Sequence, residues 1–235
     1  MKIQNLRKSN QGFTLIELLV VITIIAILSS FVVPGVQGVR ERAYRTKDIN
    51  NQRQILLGCN IYAADNEGSF PIGLEDEEES EGGEEASATT SVEIFNELYP
   101  SYIDNKSIFW IKTLDPEKQR SPTEGGEIEP EECAFAFVVG QHTVSHSSSP
   151  LIADGEMDGP GEYGEYHPWL RSKKAVVGFV GGHVIELPLS SGDPGATVES
   201  RDGKMKNIFE ERAAGEDAEG GGMLSVPQDN VLLPD

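Results

Sequence analysis

The apolar positions of this chain form one continuous run near its start and become sparser after it. The run extends from Phe13 to Val33 and follows a short polar stretch that carries Lys2, Arg7 and Lys8. An α-helix rises about 1.5 Å per residue, so the run would measure about 31 Å, close to the thickness of the hydrocarbon core of a bilayer. The pattern therefore predicts a transmembrane helix over residues 13–34, preceded by a polar leader over residues 1–12.

The next segment, residues 35–66, keeps a helical pattern but has only one apolar face. Apolar side chains recur there at steps of three and four residues, at Ile55, Leu56, Cys59, Tyr62 and Ala63. This spacing is typical of a helix that packs on other elements along a single stripe. We expect an amphipathic continuation of the first helix that packs on a sheet and ends at the Asn, Gly and Pro residues between positions 66 and 71.

The remaining sequence predicts short strands at residues 133–140, 150–153, 174–180 and 183–189. The last two flank Gly181-Gly182, which is typical of a tight β-hairpin. The predicted fold class is α+β, with a long N-terminal helix, half membrane-spanning and half amphipathic, packed on a small antiparallel β-sheet head. The head covers residues 67–189. We expect an acidic, disordered insert near residues 75–90 and a loosely ordered C-terminal tail over residues 190–235.

Charge and cysteine content narrow the classes of function. The chain has 19 Lys and Arg against 39 Asp and Glu, a net charge of −20, which disfavours a nucleic-acid-binding surface. Two cysteines, Cys59 and Cys133, are too few for a disulfide framework. They could form one disulfide in an oxidising compartment, but we favour the interpretation that each is a small buried apolar residue.

One acidic residue, Glu17, interrupts the apolar run. A carboxylate near the centre of a bilayer costs roughly 2.5–3.5 kcal/mol, and less near the interface, so it calls for a partner. Cleavage after Gly12 would create a positive amine on Phe13. Helix geometry disfavours a pair between this amine and Glu17 of the same chain, whereas a pair with Glu17 of a neighbouring chain could set the axial register of a filament. The alternative is an acid that reaches the membrane surface in an ordinary anchor.

The segment Gly12-Phe13-Thr14-Leu15-Ile16-Glu17, the apolar run after it and Pro34 resemble the class III prepilin signal of type IV pilins and type II secretion pseudopilins. The resemblance implies that a prepilin peptidase cleaves between Gly12 and Phe13 and methylates the Phe13 amine. It also implies that Glu17 docks subunits and that the helix near Pro34 can unwind during assembly, with a simple kink at this position as the alternative.

The same resemblance implies a structural role and a set of partners. The chain would be a single-pass inner-membrane protein with a cytoplasmic N-terminus and a periplasmic head, extracted into a pilus or pseudopilus. Its partners would be other pilin copies, prepilin peptidase, an inner-membrane assembly platform with its ATPase, and membrane lipid. The alternative is a minor pilin whose head binds a surface, a glycan or a secreted protein. An enzyme is not expected, since no catalytic motif supports one.

A possible calcium site lies in the predicted head. Asp154, Glu156, Asp158 and Glu165 follow a spacing close to that of an EF-hand loop, and hard carboxylate oxygens suit Ca²⁺. However, flanking amphipathic helices are absent from the pattern. We therefore favour a solvated acidic loop and keep calcium as the alternative cofactor. The four histidines have no cysteine companions at zinc-site spacing.

Overall fold

The computed structural model describes residues 13–72, 88–114, 120–123, 125–155, 157–190, 195–203, 207–210, 223–224 and 226–234, with backbone alone for residues 30–37. The first element is the long helix α1, Leu15–Asp65. The chain forms two compact units, Met1–Arg42 and Ala43–Asp235. Among the described residues, no helix reaches the length and hydropathy of a membrane span. The transmembrane segment over residues 13–34 thus stays a prediction.

Besides the rest of α1, the described part of the second unit contains a short α-helix and eight short strands. Helix α2, Ser91–Leu98, is followed by β1 Phe135–Val138, β2 Pro150–Asp154, β3 Met157–Gly159, β4 Glu162–Tyr163, β5 Lys174–Phe179, β6 Val184–Pro188, β7 Ala196–Thr197 and β8 Val231–Leu232. One sheet has the strand order β6-β5-β2-β1-β8 and the other has the order β3-β4-β7, and all of their pairings are antiparallel. The predicted α+β class is confirmed.

The larger sheet is covered on both faces. Phe135 and Phe137 pack in one apolar cluster with α2 and the apolar stripe of α1, whereas Ala136 and Val138 point into a second cluster on the opposite face. Because both faces are covered, β1 and β2 are buried at every position. The apolar stripe that the sequence shows on α1 is therefore the seam between this helix and the head.

The predicted hairpin is confirmed, with β5 and β6 paired in register from Lys174–Pro188 to Gly178–Val184. Gly182 has a φ of +78°, a conformation that a glycine adopts at little cost. Helix α2 escaped the sequence analysis. Its start carries a capping box in which Thr90 accepts from the Glu93 N–H and Glu93 caps the Thr90 N–H.

We expected a loosely ordered tail over residues 190–235, and the described parts of this segment contain two short strands. Strand β7 joins the smaller sheet and β8 forms an edge of the larger one. Ile208, Phe209 and Leu224 are buried in the second apolar cluster. These few apolar residues order the described parts of the segment because they cover a sheet face. Residues 73–87, which hold most of the expected acidic insert, lie outside the described residues.

Candidate functional site

The N-terminal part of α1 exposes apolar side chains on all sides. Phe13 and Leu15 are 78% and 81% exposed, and Val21, the least exposed large apolar residue of the described run, is still 47% exposed. A helix that is apolar all round is typical of a segment surrounded by lipid or by other protein. This part of the chain is therefore suited to be covered by something other than its own fold.

Glu17 takes part in the start of this helix. The Thr14 N–H donates to Glu17 Oε2 at 2.9 Å and the Thr14 hydroxyl donates to the same oxygen at 2.7 Å. In return, the Glu17 N–H donates to Thr14 Oγ1 at 3.3 Å. These reciprocal bonds form a capping box, and its T-x-x-E signature is present in the sequence although our sequence analysis did not use it.

The other predicted processing and assembly residues are less fully described. Phe13 immediately precedes the capping residue and is exposed. Gly12 lies outside the described residues, and only the backbone is described at Pro34, where α1 continues. The predicted roles of these residues in cleavage, methylation and assembly stay predictions.

The second part of α1 is joined to the head by a buried polar network. The Asp48 carboxylate accepts from Trp169 Nε1 at 3.2 Å and from Gln52 Nε2 at 3.1 Å. Gln52 Nε2 also donates to the Val176 carbonyl of β5 at 3.0 Å. All three side chains that meet here are buried, at 0–2% exposure. The network fixes the position of α1 against β5 and against the turn that carries Trp169.

A second buried carboxylate, Asp154 at the end of β2, extends this network. It accepts from the Tyr163 hydroxyl at 2.7 Å and from the Val176 N–H at 2.9 Å. His167 Nε2 lies 3.8 Å from Asp154 Oδ2 and 2.8 Å from the Lys174 carbonyl, while its Nδ1 lies 3.2 Å from the Gly155 carbonyl.

Burial controls the protonation of this network. It raises the pKa of Asp154 to about 8 and lowers the pKa of His167 to about 4. Burial, reinforced by the charge of Asp154, also raises the pKa of Asp48. Each shift favours the neutral form, as expected for groups removed from water. Because Asp48, Asp154 and His167 are fully buried, they are placed to stabilise the fold rather than to meet a substrate.

The three predicted calcium ligands that the structure describes, Asp154, Asp158 and Glu165, do not form a group that could hold a metal ion. Both carboxylate oxygens of Asp154 accept hydrogen bonds from protein groups in the core. Asp158 and Glu165 are exposed, and Glu156 lies outside the described residues. Over the part of the chain that the structure describes, no group of three or more His, Cys, Asp and Glu could hold a metal ion.

Both cysteines are free and buried, so the alternative of a disulfide between Cys59 and Cys133 is not realised. Cys59 belongs to the apolar seam of α1 and Cys133 lies close to Ser91 and Phe135. Burial in this apolar setting raises the pKa of the Cys59 thiol and keeps it protonated. Each cysteine is thus the small buried apolar residue that we favoured.

The N-terminal segment of the chain is similar to segments of known proteins. Residues 7–33 match the prokaryotic N-terminal methylation motif. The chain is 40% identical over 60 residues to type II secretion system core protein G of Klebsiella michiganensis, which covers 26% of this chain and 42% of that protein. It is 39% identical over 56 residues to the core protein G of Escherichia coli strain K12, which covers 24% of this chain and 39% of that protein. It is 38% identical over 59 residues to the core protein G of Vibrio cholerae, which covers 25% of this chain and 40% of that protein.

The chain spans about two fifths of the length of these curated relatives. No solved structure matches it. The head is therefore known from its own structure alone, whereas the N-terminal segment also has similar segments in known proteins. The N-terminal segment of the chain thus carries the prokaryotic N-terminal methylation motif and is similar to the corresponding part of type II secretion system core protein G.

Proposed function

We propose that the chain is a structural subunit of a pseudopilus-like filament, held together by the N-terminal part of α1. The observation that carries this proposal is the position of Glu17: a carboxylate held by the helix start within a segment whose other large side chains are apolar and exposed. An acid in such a segment calls for a partner in the assembled state.

In the described geometry, Glu17 can still accept a hydrogen bond from such a partner. Both bonds from Thr14 go to Oε2, and an ionised carboxylate accepts about four hydrogen bonds in all. The capping box also holds the carboxylate at the first turn, next to Phe13. The Phe13 amine of a neighbouring processed chain would then neutralise Glu17 and set the axial register between the two copies.

The processing and the partners follow the family. Prepilin peptidase would cleave after Gly12 and methylate Phe13, which keeps the apolar helix on the mature chain. The chain would first be held in the inner membrane with its head in the periplasm. An assembly platform with its ATPase would then transfer the helix from lipid into the filament core. In both settings the exposed apolar surface of residues 13–28 is covered.

The experiment compares Glu17→Val with Thr23→Val in the full chain, expressed with its assembly system. Thr23 is the matched control because its hydroxyl bonds only locally to the Val20 carbonyl, at 2.8 Å. We expect Glu17→Val to remain in the membrane fraction but to be lost from sheared filaments by at least about tenfold, the effect of about 1.4 kcal/mol. Thr23→Val should assemble like the parent chain. Normal assembly of Glu17→Val would refute the docking role.

The alternative of a minor pilin with a binding head is favoured by one surface feature. An open groove of about 740 Å³ is lined by Tyr99, Asp104, Asn105, Lys106, Ser107, Pro122, Thr123 and Gly125. Lys106 is held there by Glu132 at 2.6 Å. Saturable binding of a polar ligand that is lost in Tyr99→Ala and Ser107→Ala variants, together with a low abundance in filaments, would support this second function.

A further inference from the structure

One segment of the head runs beside the first turns that α1 has in the second unit. Asn51 Nδ2 donates to the Trp110 carbonyl at 3.2 Å, and Lys47 Nζ lies 5.6 Å from the ring centre of Trp110. Two residues further along this segment, Lys112 Nζ lies 5.9 Å from the ring centre of Tyr44. Contact with an aromatic ring restricts a lysine side chain without neutralising its charge. Both lysines are therefore exposed cations in defined positions.

A second segment of the head contacts the same turns of α1. It carries Trp169, which belongs to the buried network, and Ser172, whose Oγ accepts from Arg45 at 3.2 Å. Arg171 and Lys173 flank Ser172, and both are exposed. This second segment thus brings two further exposed cations to the beginning of α1 in the second unit.

The two segments are also joined to each other. The Leu114 N–H donates to the Tyr166 carbonyl at 3.1 Å, and the side chains of these two residues are 56% and 41% exposed. Exposed apolar and aromatic side chains therefore accompany the cations. We name this surface the basic rim, defined by Tyr44, Lys47, Trp110, Lys112, Arg171 and Lys173.

The basic rim has an excess of positive charge in an acidic protein. Of the carboxylates that adjoin these contacts in the described part of the chain, Asp48 is buried, Glu186 is paired with Arg45 at 2.8 Å, and Glu165 is exposed. The four exposed cations of the rim therefore outnumber the exposed acids beside it. Because the whole chain has a net charge of −20, an anionic surface repels the head least when the rim faces that surface.

The position of the rim along the chain favours a bilayer as its partner. Tyr44 follows Val33, the end of the predicted membrane run, by eleven residues of α1, a length of about 16 Å. The headgroup region extends about 5–8 Å beyond the hydrocarbon core, and the potential of an anionic surface extends about 8 Å further at physiological ionic strength. A rim on so short a tether meets headgroups at a high effective concentration.

The side chains of the rim also suit a phospholipid surface. Lysine and arginine bind phosphate oxygens, and the rings of tryptophan and tyrosine favour the level of the headgroups. Each Lys or Arg close to an anionic bilayer strengthens binding by about fivefold. The rim combines both kinds of side chain, since Trp110 and Tyr44 each lie against a lysine.

We infer that the basic rim binds anionic phospholipid headgroups, so that the head lies against the bilayer while the chain is anchored there. This inference rests on the membrane-anchored stage of the proposed function and adds a second contact with the membrane to that of the apolar helix. The contact breaks when the helix leaves the bilayer for a filament. Anionic lipid therefore holds the subunit in its unassembled state.

The experiment places the full chain in nanodiscs of phosphatidylcholine or of phosphatidylglycerol, with a small fraction of lipid that carries a nitroxide on its headgroup. The nitroxide quenches a tryptophan that lies at the headgroups, and quenching is measured relative to the same discs without nitroxide. The chain has two tryptophans, of which Trp169 is 2% exposed. A Trp110→Phe variant assigns the quenching to Trp110. The ratio of docked to undocked heads follows from the quenching.

We expect strong quenching of Trp110 in phosphatidylglycerol and weak quenching in phosphatidylcholine. Salt at about 1 M should abolish the difference, because it shortens the Debye length to about 3 Å. Equal quenching in the two lipids, or a difference that salt does not change, would overturn the inference.

Two independent pairs of substitutions test the rim itself. Lys47→Gln with Lys112→Gln should lower the ratio of docked to undocked heads by at least about tenfold, and so should Arg171→Gln with Lys173→Gln. The matched control, Arg53→Gln with Arg201→Gln, removes the same charge at two exposed positions outside the rim and should dock like the parent chain. Melting temperatures in detergent identify any variant that fails to fold. An equal loss in the control would show that only net charge matters and would refute the rim.

Assembly provides a second readout, which separates lipid from protein as the partner of the rim. If the rim variants dock on phosphatidylglycerol like the parent chain but are lost from sheared filaments, the rim binds another protein copy and the inference is wrong. The proposed function is judged separately by Glu17→Val, which should dock normally. If the parent chain does not dock while Glu17→Val still fails to assemble, the filament role stands and only the headgroup contact is lost.

Discussion

The two halves of α1 are parts of one helix but differ in where their partners lie. From Phe13 to Leu28 the large side chains other than Glu17 are apolar and at least about half exposed. In the second half, Ile55, Leu56 and Cys59 are buried against the head, and Asp48 is hydrogen bonded to it. The second half is packed on the head, whereas the first half is exposed over its described side chains.

This difference shows how a single helix can serve two purposes. Burial of the apolar seam and of the polar network holds the head in place on α1 within one chain. If the chain assembles as proposed, the exposed apolar half would exchange its lipid surroundings for the helices of neighbouring copies. We therefore expect substitutions in the second half to change stability and substitutions in the first half to change assembly.

The largest effect on stability should come from the apolar seam, where two adjacent leucines allow a matched comparison. Leu56 is 2% exposed and Leu57 is 61% exposed. We expect Leu56→Ala to lower the free energy of unfolding by about 2–5 kcal/mol, because it leaves a cavity beneath the sheet. Leu57→Ala should change it by less than about 0.5 kcal/mol. Urea unfolding of the full chain in detergent measures both, and equal losses would contradict the placement of the seam.

The next largest effect concerns the buried polar network that joins α1 to the head. We expect Asp48→Ala to lower the free energy of unfolding by about 1–3 kcal/mol, because the buried Trp169 N–H would lose its acceptor. Asp65→Ala, which removes an exposed carboxylate of the same helix, serves as the control and should be close to neutral. The same unfolding measurement applies. If the two variants lost equal stability, the buried network would have no special part in holding α1.

Protonation of the network should produce a smaller, pH-dependent effect. The folded-state pKa of Asp154 is raised to about 8, so its contribution to stability is present below its unfolded pKa and is lost as the pH rises through about 8. The pKa of His167 is lowered to about 4, so its contribution is present above pH 6.5 and is lost as the pH falls through about 4. The two trends oppose each other between pH 4 and 6.5.

Above pH 6.5 the contribution of His167 to stability is constant, so only the contribution of Asp154 still changes with pH. We expect the free energy of unfolding to fall by up to about 2 kcal/mol between pH 6.5 and pH 8, because a one-proton difference gives about 1.4 kcal/mol per pH unit. Urea unfolding across this range measures the slope, and Asp154→Asn should flatten it. A stability that rises with pH over this range in the parent chain would contradict the raised pKa of Asp154.

The smallest effect is expected from calcium removal. Both oxygens of Asp154 are already hydrogen bonded within the head, which leaves Asp158 and Glu165 as exposed acids. We therefore expect the melting temperature to stay unchanged on addition of a chelator to the full chain in detergent. A clear decrease in melting temperature, restored by Ca²⁺ but not by Mg²⁺, would instead support the calcium alternative and would call for Glu156 among the ligands.

The sequence predicted the parts of the fold that depend on local patterns. The apolar stripe of α1 and the Gly181-Gly182 hairpin follow from short periodicities and turn chemistry, and the structure contains both. The strands in the described parts of the C-terminal segment were not predicted, because they depend on pairing with strands that are far away in the sequence. Strand β8, for example, is stabilised by pairing with β1 rather than by its own two residues.

The buried network was beyond the reach of sequence patterns for the same reason. Asp48 and Trp169 are separated by 121 positions, and no local motif marks them as partners. Asp154 was interpreted as part of a solvated acidic loop. Its spacing to Asp158 and Glu165, close to that of an EF-hand loop, led to the calcium alternative. By contrast, the Thr14-x-x-Glu17 capping box was visible in the sequence. Glu17 was interpreted by its charge alone, as a carboxylate in an apolar run, and not as part of this capping box.

The most direct test of the central claim is the mass and N-terminal sequence of the mature chain recovered from filaments and membranes. We expect the chain to begin at Phe13 with one methyl group on its amine, so that the whole apolar run from Phe13 to Val33 remains on the protein. A mature chain that begins beyond Val33, or one that keeps residues 1–12, would contradict the account of α1 as a processed helix that joins copies together.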